Sequence, residues 1–345
     1  MTRNSLDAGP GPEATGLARS RVAAGRVPAV SLAIGRHDTI ESQVAVGLRD
    51  AASGTPVDAG TVFEAASLSK PVVAYATLLL ADAGVLDLDR PLSTFHPPPM
   101  PEDPASARIT ARHVLSHTSG LPNWRSDDLP ARAWFEPGTR FSYSGEGFVY
   151  LQSVLETLEG APRDALARRR VFEPLGMERS GFTWRPAFEE NFAAAHDAAG
   201  RPTDKFRPAE ANAAYSLHTT PADYVRFALA ARAGEGLRPA TAAAWIRPHV
   251  HVPEGRIEAL QAAAPALERD VAWGLGWGLE GKAGTFFHWG SNSGASAFVI
   301  AAAPPGPVLA MFANADAGLG VAAELVRAVL PGHHPGLAWL CLEPP

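Results

Sequence analysis

The chain has 345 residues, of which 46% are hydrophobic and 19% charged, with a formal net charge of −6. That length suits one large domain or two closely packed ones. The charge balance lacks the clustered basic face of a nucleic-acid partner, no run approaches the roughly 18 apolar residues of a membrane span, and Met1 to Ser20 lacks the apolar stretch of a signal peptide, so the chain is read as cytoplasmic, with no nucleic-acid or membrane partner.

Residues 1–20 are polar and contain Gly and Pro, and they read as a flexible N-terminus. Pro28 to Arg36 reads as a strand, residues 41–48 as its hairpin partner through His37-Asp38, and a short extended stretch reaches Phe63. The period then changes. From Ser67 to Ala83 the chain is apolar nearly all round, through Val72, Val73, Tyr75, Ala76, Leu78, Leu79 and Leu80, which is the pattern of a buried helix. Pro71 sits in its first turn and Gly84 is placed to end it. Residues 96–106 are Pro-rich and loop-like; Thr110 is placed to cap a short helix through Ser116, ended by Ser119-Gly120-Leu121-Pro122. Residues 146–160, 162–172 and Pro221 to Ala233 read as helices, and the Ala-rich stretch 234–270 has no clear period. Strand character returns at Thr285–Trp289, Ala295–Ala302 and Val308–Asn314, with Pro304-Pro305-Gly306 as a turn, and Leu319–Leu330 reads as a final amphipathic helix.

Strands thus lie at both ends and helices fill the middle. The predicted fold is α+β: a mostly antiparallel sheet built from both chain ends, flanked by helices, with an inserted helical subdomain. The boundaries read as 1–20 for the flexible N-terminus, 21–66 plus 271–345 for the sheet, and 67–270 for the helical part, with a site in the cleft between the two.

Three segments carry chemistry. In Ser67-Leu68-Ser69-Lys70, residues three apart at a helix start share a face. A serine needs a base to become a nucleophile, and a lysine desolvated in an apolar pocket can serve as one. Only Lys70, Lys205 and Lys282 are lysines among the 30 basic residues, so a lysine kept at this place stands out. Phe141-Ser142-Tyr143-Ser144-Gly145 offers a phenol that could relay a proton. His288-Trp289-Gly290-Ser291, at a strand end, offers a glycine that would let a substrate approach the backbone and, at Ser291, an N–H for an oxyanion.

Taken together and in this order, these segments resemble the β-lactamase-related serine hydrolases: class C β-lactamases, D,D-peptidases, D-aminopeptidases and family eight carboxylesterases. The resemblance runs from about residue 28 to about 330. It includes Leu115-Ser116-His117-Thr118-Ser119-Gly120-Leu121-Pro122, Pro174-Leu175-Gly176-Met177 and Gly274-Leu275-Gly276-Trp277. It implies an acyl-enzyme on Ser67, activation by Lys70, a proton relay at Tyr143, and an oxyanion hole from the amides of Ser67 and Ser291, with His288, Trp289 and Gly290 at the substrate. No cofactor and no metal are expected.

Two departures matter. Tyr143-Ser144-Gly145 stands where the lactamases and peptidases have Tyr-x-Asn, and His288-Trp289-Gly290 where they have Lys-Thr-Gly. Losing the amide and the fixed cation weakens recognition of acylamino and carboxylate groups. The expected activity is therefore hydrolysis of small carboxylic esters. D-aminopeptidase, D,D-peptidase or β-lactamase-type amide hydrolysis, acyl transfer to an alcohol or amine, and an inactive binding or sensor module are the alternatives.

Other classes fit less well. Gly290-Ser291-Asn292-Ser293-Gly294 comes close to the G-x-S-x-G elbow of an α/β-hydrolase but has Asn at the central position. His113 and His117 have metal-ligand spacing, but Val114 stands where a metalloprotease would have Glu, and His249, His251, His333 and His334 read as loop residues without acidic partners. Trp289, Trp124, Trp134, Trp273 and Trp277 are candidates for lining the cleft, with a core position the competing reading for Trp273 and Trp277.

Overall fold

The computed structural model describes residues 11–126, 130–261, 266–282 and 284–342. In chain order, helix α1 (Gly11–Ala23) leads into strands β1 (Ala29–Arg36), β2 (Thr39–Asp50), β3 (Thr55–Pro56) and β4 (Phe63–Ala66), then helices α2 (Ser69–Asp82), α3 (Ala111–Leu115), α4 (Gly145–Glu159) and α5 (Arg163–Ala167). Strand β5 (Leu217–Thr219), helices α6 (Pro221–Ala233) and α7 (Pro239–Trp245), and strands β6 (Val250–Pro253), β7 (Leu267–Trp273), β8 (Gly278–Glu280), β9 (Thr285–Asn292), β10 (Ala295–Ala302) and β11 (Val308–Ala313) follow, and α8 (Gly318–Val329) and α9 (Pro335–Trp339) close the chain.

Nine strands form one sheet in the order β3-β2-β1-β11-β10-β9-β8-β7-β6, and every pairing of adjacent strands is antiparallel. The first and last parts of the chain meet where β1 pairs with β11, Leu32 opposite Met311. Alternation along these strands sorts their side chains onto two buried faces. Ala29, Ala33, Ala297, Val299, Ala301, Ala310 and Phe312 join the core under α2 and α6. Val30, Leu32, Ile34, Phe298, Ile300, Leu309 and Met311 join a second core with Val321, Leu325 and Val326 of α8. Burial on both faces explains why these strands read as near-continuous apolar runs.

Some expectations need correction. Residues 11–20, expected to be flexible, form most of α1; Ala14 and Ala18 are fully buried in the core beneath α8, and Arg21 pairs with Glu324. Residues 1–10 lie outside the described residues. The expected boundary at 270/271 falls inside β7, and β6 begins at Val250, so the sheet reaches into the stretch whose period was unclear. Helix α6, assigned by sequence to the helical part, packs on β1 and β11. His251 lies in β6, and His334 is no unpartnered loop residue: its Nδ1 is 3.0 Å from buried Glu280, which also accepts the Gly336 N–H.

One crossing places the site. Strand β4, which runs straight into Ser67, lies against β9 at Gly290. A Cβ built on Gly290 would stand 2.2 Å from the Ala65 carbonyl oxygen, so only glycine lets the two backbones touch. The expectation that this glycine makes room for substrate is therefore corrected: it makes room for β4. Gly290→Ala is expected to lower stability by about 1–3 kcal/mol, the range for forced overpacking, and urea unfolding would measure it. An unchanged midpoint would contradict this packing.

Candidate active site

Ser67 sits in the two-residue turn between β4 and α2, one position before the helix cap Leu68, rather than on the helix itself. The residue before it, Ala66, has φ 47, a left-handed backbone that L-residues adopt at a cost of roughly 1 kcal/mol or more. Its surroundings hold it there. The Leu68 N–H donates to the Ala65 carbonyl (3.0 Å), the Ser69 hydroxyl donates to the Ala66 carbonyl (2.6 Å) and accepts the Leu217 N–H (3.0 Å), and the Tyr224 hydroxyl donates to the Leu68 carbonyl (2.8 Å). β5 and α6 thus clamp the turn from one side while β9 presses it from the other.

Lys70 is 1% exposed. Its Nζ is 3.0 Å from the Ser67 Oγ and donates to the Ala214 carbonyl at 2.8 Å. It lies 4.7 Å from the centre of the Tyr143 ring and 5.8 Å from that of Phe148. Burial disfavours the ammonium and pulls the amine's pKa down to about 7. A base of that strength is half free at neutral pH, and the 3.0 Å contact serves a proton passing from Oγ to Nζ as well as its return.

Tyr143 is buried too, and burial raises its phenol pKa above the usual value, partly offset by the Ser67 hydroxyl beside it. It stays protonated at neutral pH, a donor rather than a standing phenolate. Among the described residues its hydroxyl makes no full hydrogen bond, so the group is available to a reacting atom.

His117 brackets Tyr143. Its carbonyl accepts the Ser142 N–H (2.9 Å), its Nδ1 accepts the Ser144 N–H (3.0 Å), and its ring stacks on the phenol ring at 4.2 Å. The proton is therefore on Nε2, and burial together with the nearby Lys70 holds the ring well below its ordinary pKa. α3 ends at Leu115 and His117 has φ 55, whereas His113 closes a capping box with Thr110, so the two imidazoles do different structural work. Among the described residues no group of three or more His, Cys, Asp and Glu side chains is placed to hold a metal ion.

The cleft over Ser67 has a volume of about 440 Å³ and is lined by Tyr143, Trp124, Tyr215, Trp289, Ser291 and Glu258, among others. Trp289 packs on the Tyr143 ring at 5.3 Å. The structure thus gathers Ser67, Tyr143, Trp289 and Ser291 at one opening, with Lys70 directly beneath. His288 does not join them. It is fully buried with Gly290 below the cleft wall, its Nδ1 donates to the Trp289 carbonyl at 2.7 Å, and burial and Lys70 push its pKa down to about 3. The expectation of a substrate-binding His288 is corrected: strand alternation turns it inward. Trp273 and Trp277 are core residues at 0% exposure, and Trp134 lies outside the cleft lining.

The sequence reading missed Asn123, Tyr215, Ile257, Glu258 and Asn292. Each stands on a connecting segment or a strand end, where no period announces a direction. The one pointer in the sequence was Gly145 itself; in the structure a Cβ there would stand 2.8 Å from the Trp124 indole and 2.9 Å from the Asn123 carbonyl. The absent Asn of the Tyr-x-Asn pattern therefore corresponds to an indole laid across that position, beside an asparagine amide from the preceding loop.

The β-lactamase family model matches residues 14–332. The chain is 29% identical over 330 residues to Esterase EstB of Burkholderia gladioli, covering 77% of this chain and 81% of that one. It is 28% identical over 335 residues to Penicillin-binding protein 4 of Amycolatopsis lactamdurans, covering 88% and 85%. Among solved structures, EstCE1, described as a hydrolase with promiscuous acyltransferase activity, superposes with a TM-score of 0.77 over 92% of this chain and 97% of that one at 22% identity. The large antiparallel sheet with its flanking helices is the β-lactamase/transpeptidase-like fold, and the chain belongs to the β-lactamase family of serine hydrolases.

Proposed function

We propose that the protein hydrolyses small carboxylic esters through an acyl-enzyme on Ser67. The observation that carries this reading is the buried Lys70 amine 3.0 Å from the Ser67 hydroxyl. The Lys70 amine takes the Oγ proton as Oγ attacks the ester carbonyl. The amides of Ser67 and Ser291 receive the oxyanion, and collapse expels an alkoxide that takes a proton from Lys70 by way of the Tyr143 phenol. Water, deprotonated through the same pair, attacks the acyl carbon and frees Ser67.

The preference for esters over penicillins rests on the walls. No Lys or Arg lines the cleft over Ser67 among the described residues, so nothing there pairs with a substrate carboxylate. Trp124 and Trp289 narrow the cleft with apolar surface. The similarity to Esterase EstB supports the same reading. Transfer of the acyl group to an alcohol is a second reading, favoured by this apolar wall and by the activity named for EstCE1; it shares the first half-reaction.

Turnover of p-nitrophenyl butyrate is expected to exceed that of nitrocefin, and a fluorophosphonate is expected to label the wild type but not Ser67→Ala. Faster nitrocefin turnover would overturn the ester preference, and an unlabelled wild type would overturn the nucleophile. Lys70→Ala is expected to lower kcat/KM by about 10²–10⁴, the scale of a positioned base.

The pH profile follows from the free amine being the reactive form. Because the pKa of Lys70 is lowered to about 7, kcat/KM is expected to fall about tenfold per pH unit below that value and to level off above it. An acid limb centred above pH 9 would contradict a desolvated Lys70.

A further inference from the structure

We propose that the cleft is specific for substrates carrying an ammonium group, held between Glu258 and the rings of Trp124 and Tyr215. This names a substrate class for the esterase reading above and rests on it.

The charge on the walls is one-sided. Glu258 stands at the opening over Ser67, and its Oε1 accepts from the Asn123 side-chain amide at 3.0 Å. No Lys or Arg pairs with this carboxylate among the described residues. Its negative charge reaches the reacting groups, because it disfavours ionisation of Tyr143. Tyr215 and Asn292 also line a second chamber of about 340 Å³, whose walls include Glu64, Asp204 and Phe206. Glu64 is 6% exposed and held by the Asn292 side-chain amide at 2.9 Å. Glu258, Glu64 and Asp204 line the two spaces and, among the described residues, no basic side chain does; burial raises the pKa of Glu64 to about 7, so that group adds only a partial charge at neutral pH.

The aromatic surface matches. Trp124 is 43% exposed and meets Tyr215 edge-on at 5.7 Å, so a large indole is held open to solvent with a second ring at right angles beside it. A cation over such faces gains from the ring quadrupoles as well as from the carboxylate. An anion meets repulsion here, and a neutral group gains ring contact alone. A divalent metal ion would need a cluster of donor side chains that the described residues lack.

Two measurements test the proposal separately from the esterase reading. In the Ser67→Ala variant, tryptophan fluorescence is titrated with butylammonium, butan-1-ol and butyrate, a readout that needs no turnover. Butylammonium is expected to bind about fivefold or more tighter than the alcohol, the scale of an exposed cation contact, with butyrate weakest. Glu258→Gln is expected to bring the first two together. In the active enzyme, p-nitrophenyl 4-(trimethylammonio)butanoate is compared with its neutral isostere p-nitrophenyl 5,5-dimethylhexanoate, and the cationic ester is expected to have the higher kcat/KM, with the ratio falling in Glu258→Gln. Equal binding of alcohol and amine, a preference that survives Glu258→Gln, or hydrolysis of both esters at equal rates would overturn the proposal while leaving the esterase reading intact. Selective amine binding with neither ester hydrolysed would sustain the cation site and overturn the esterase reading.

Discussion

The proposed chemistry of this molecule depends on keeping one amine out of water. Lys70 is 1% exposed and has no ion-pair partner among the described residues; the Ala214 carbonyl and the Tyr143 ring make up only part of its lost hydration, so the free base becomes accessible near pH 7. The arrangement carries a cost to stability with a definite sign. An unfolded lysine keeps its ordinary pKa of 10.5 and the folded one has about 7, so between those values the unfolded chain binds more protons. This group's contribution to stability therefore improves as pH rises through that window and is least favourable below about pH 7.

Much of the fold serves to hold that amine next to one oxygen. The apolar circumference of α2 requires burial on every side, which places Lys70 in the core by the same rule that places Val72 and Val73 there. β4 delivers Ser67 through a strained turn, β9 crosses it at Gly290, and β5 and α6 fasten it through Leu217 and Tyr224. On the remaining side, the Tyr143 and Phe148 rings and the His117 imidazole form the wall. Both histidines nearest the amine are held neutral by their burial, so neither places a second cation beside it.

The parts legible in the sequence were those with a period or a fixed local spacing. Helix α6 and strand β10 fall on the residues their patterns indicated, because an apolar helix with Pro at its start and a strand buried on both faces announce themselves locally. Ser67 and Lys70 were legible because three residues of spacing at a helix entrance bring their side chains together whatever else the chain does. His288 was misread because position along a strand does not say which face looks into a cleft; alternation sends Trp289 outward and His288 inward. Helix α1 was missed because it is held by packing on α8, some 300 residues away in sequence, as well as on β2, and a weakly amphipathic segment shows its stability only in such contacts. Glu258 and Tyr215 lie on irregular segments that the fold alone brings beside Ser67.

With only three lysines in the chain, the central claim is open to direct titration. Protein grown with lysine carrying ¹³C at Cε gives few resonances, and the one absent from Lys70→Met belongs to the residue in question. Its chemical shift is expected to titrate with a midpoint near pH 7, matching the acid limb of the rate profile. A midpoint near the ordinary 10.5 would show that residue 70 keeps its charge under working conditions and would contradict its role as the base for Ser67.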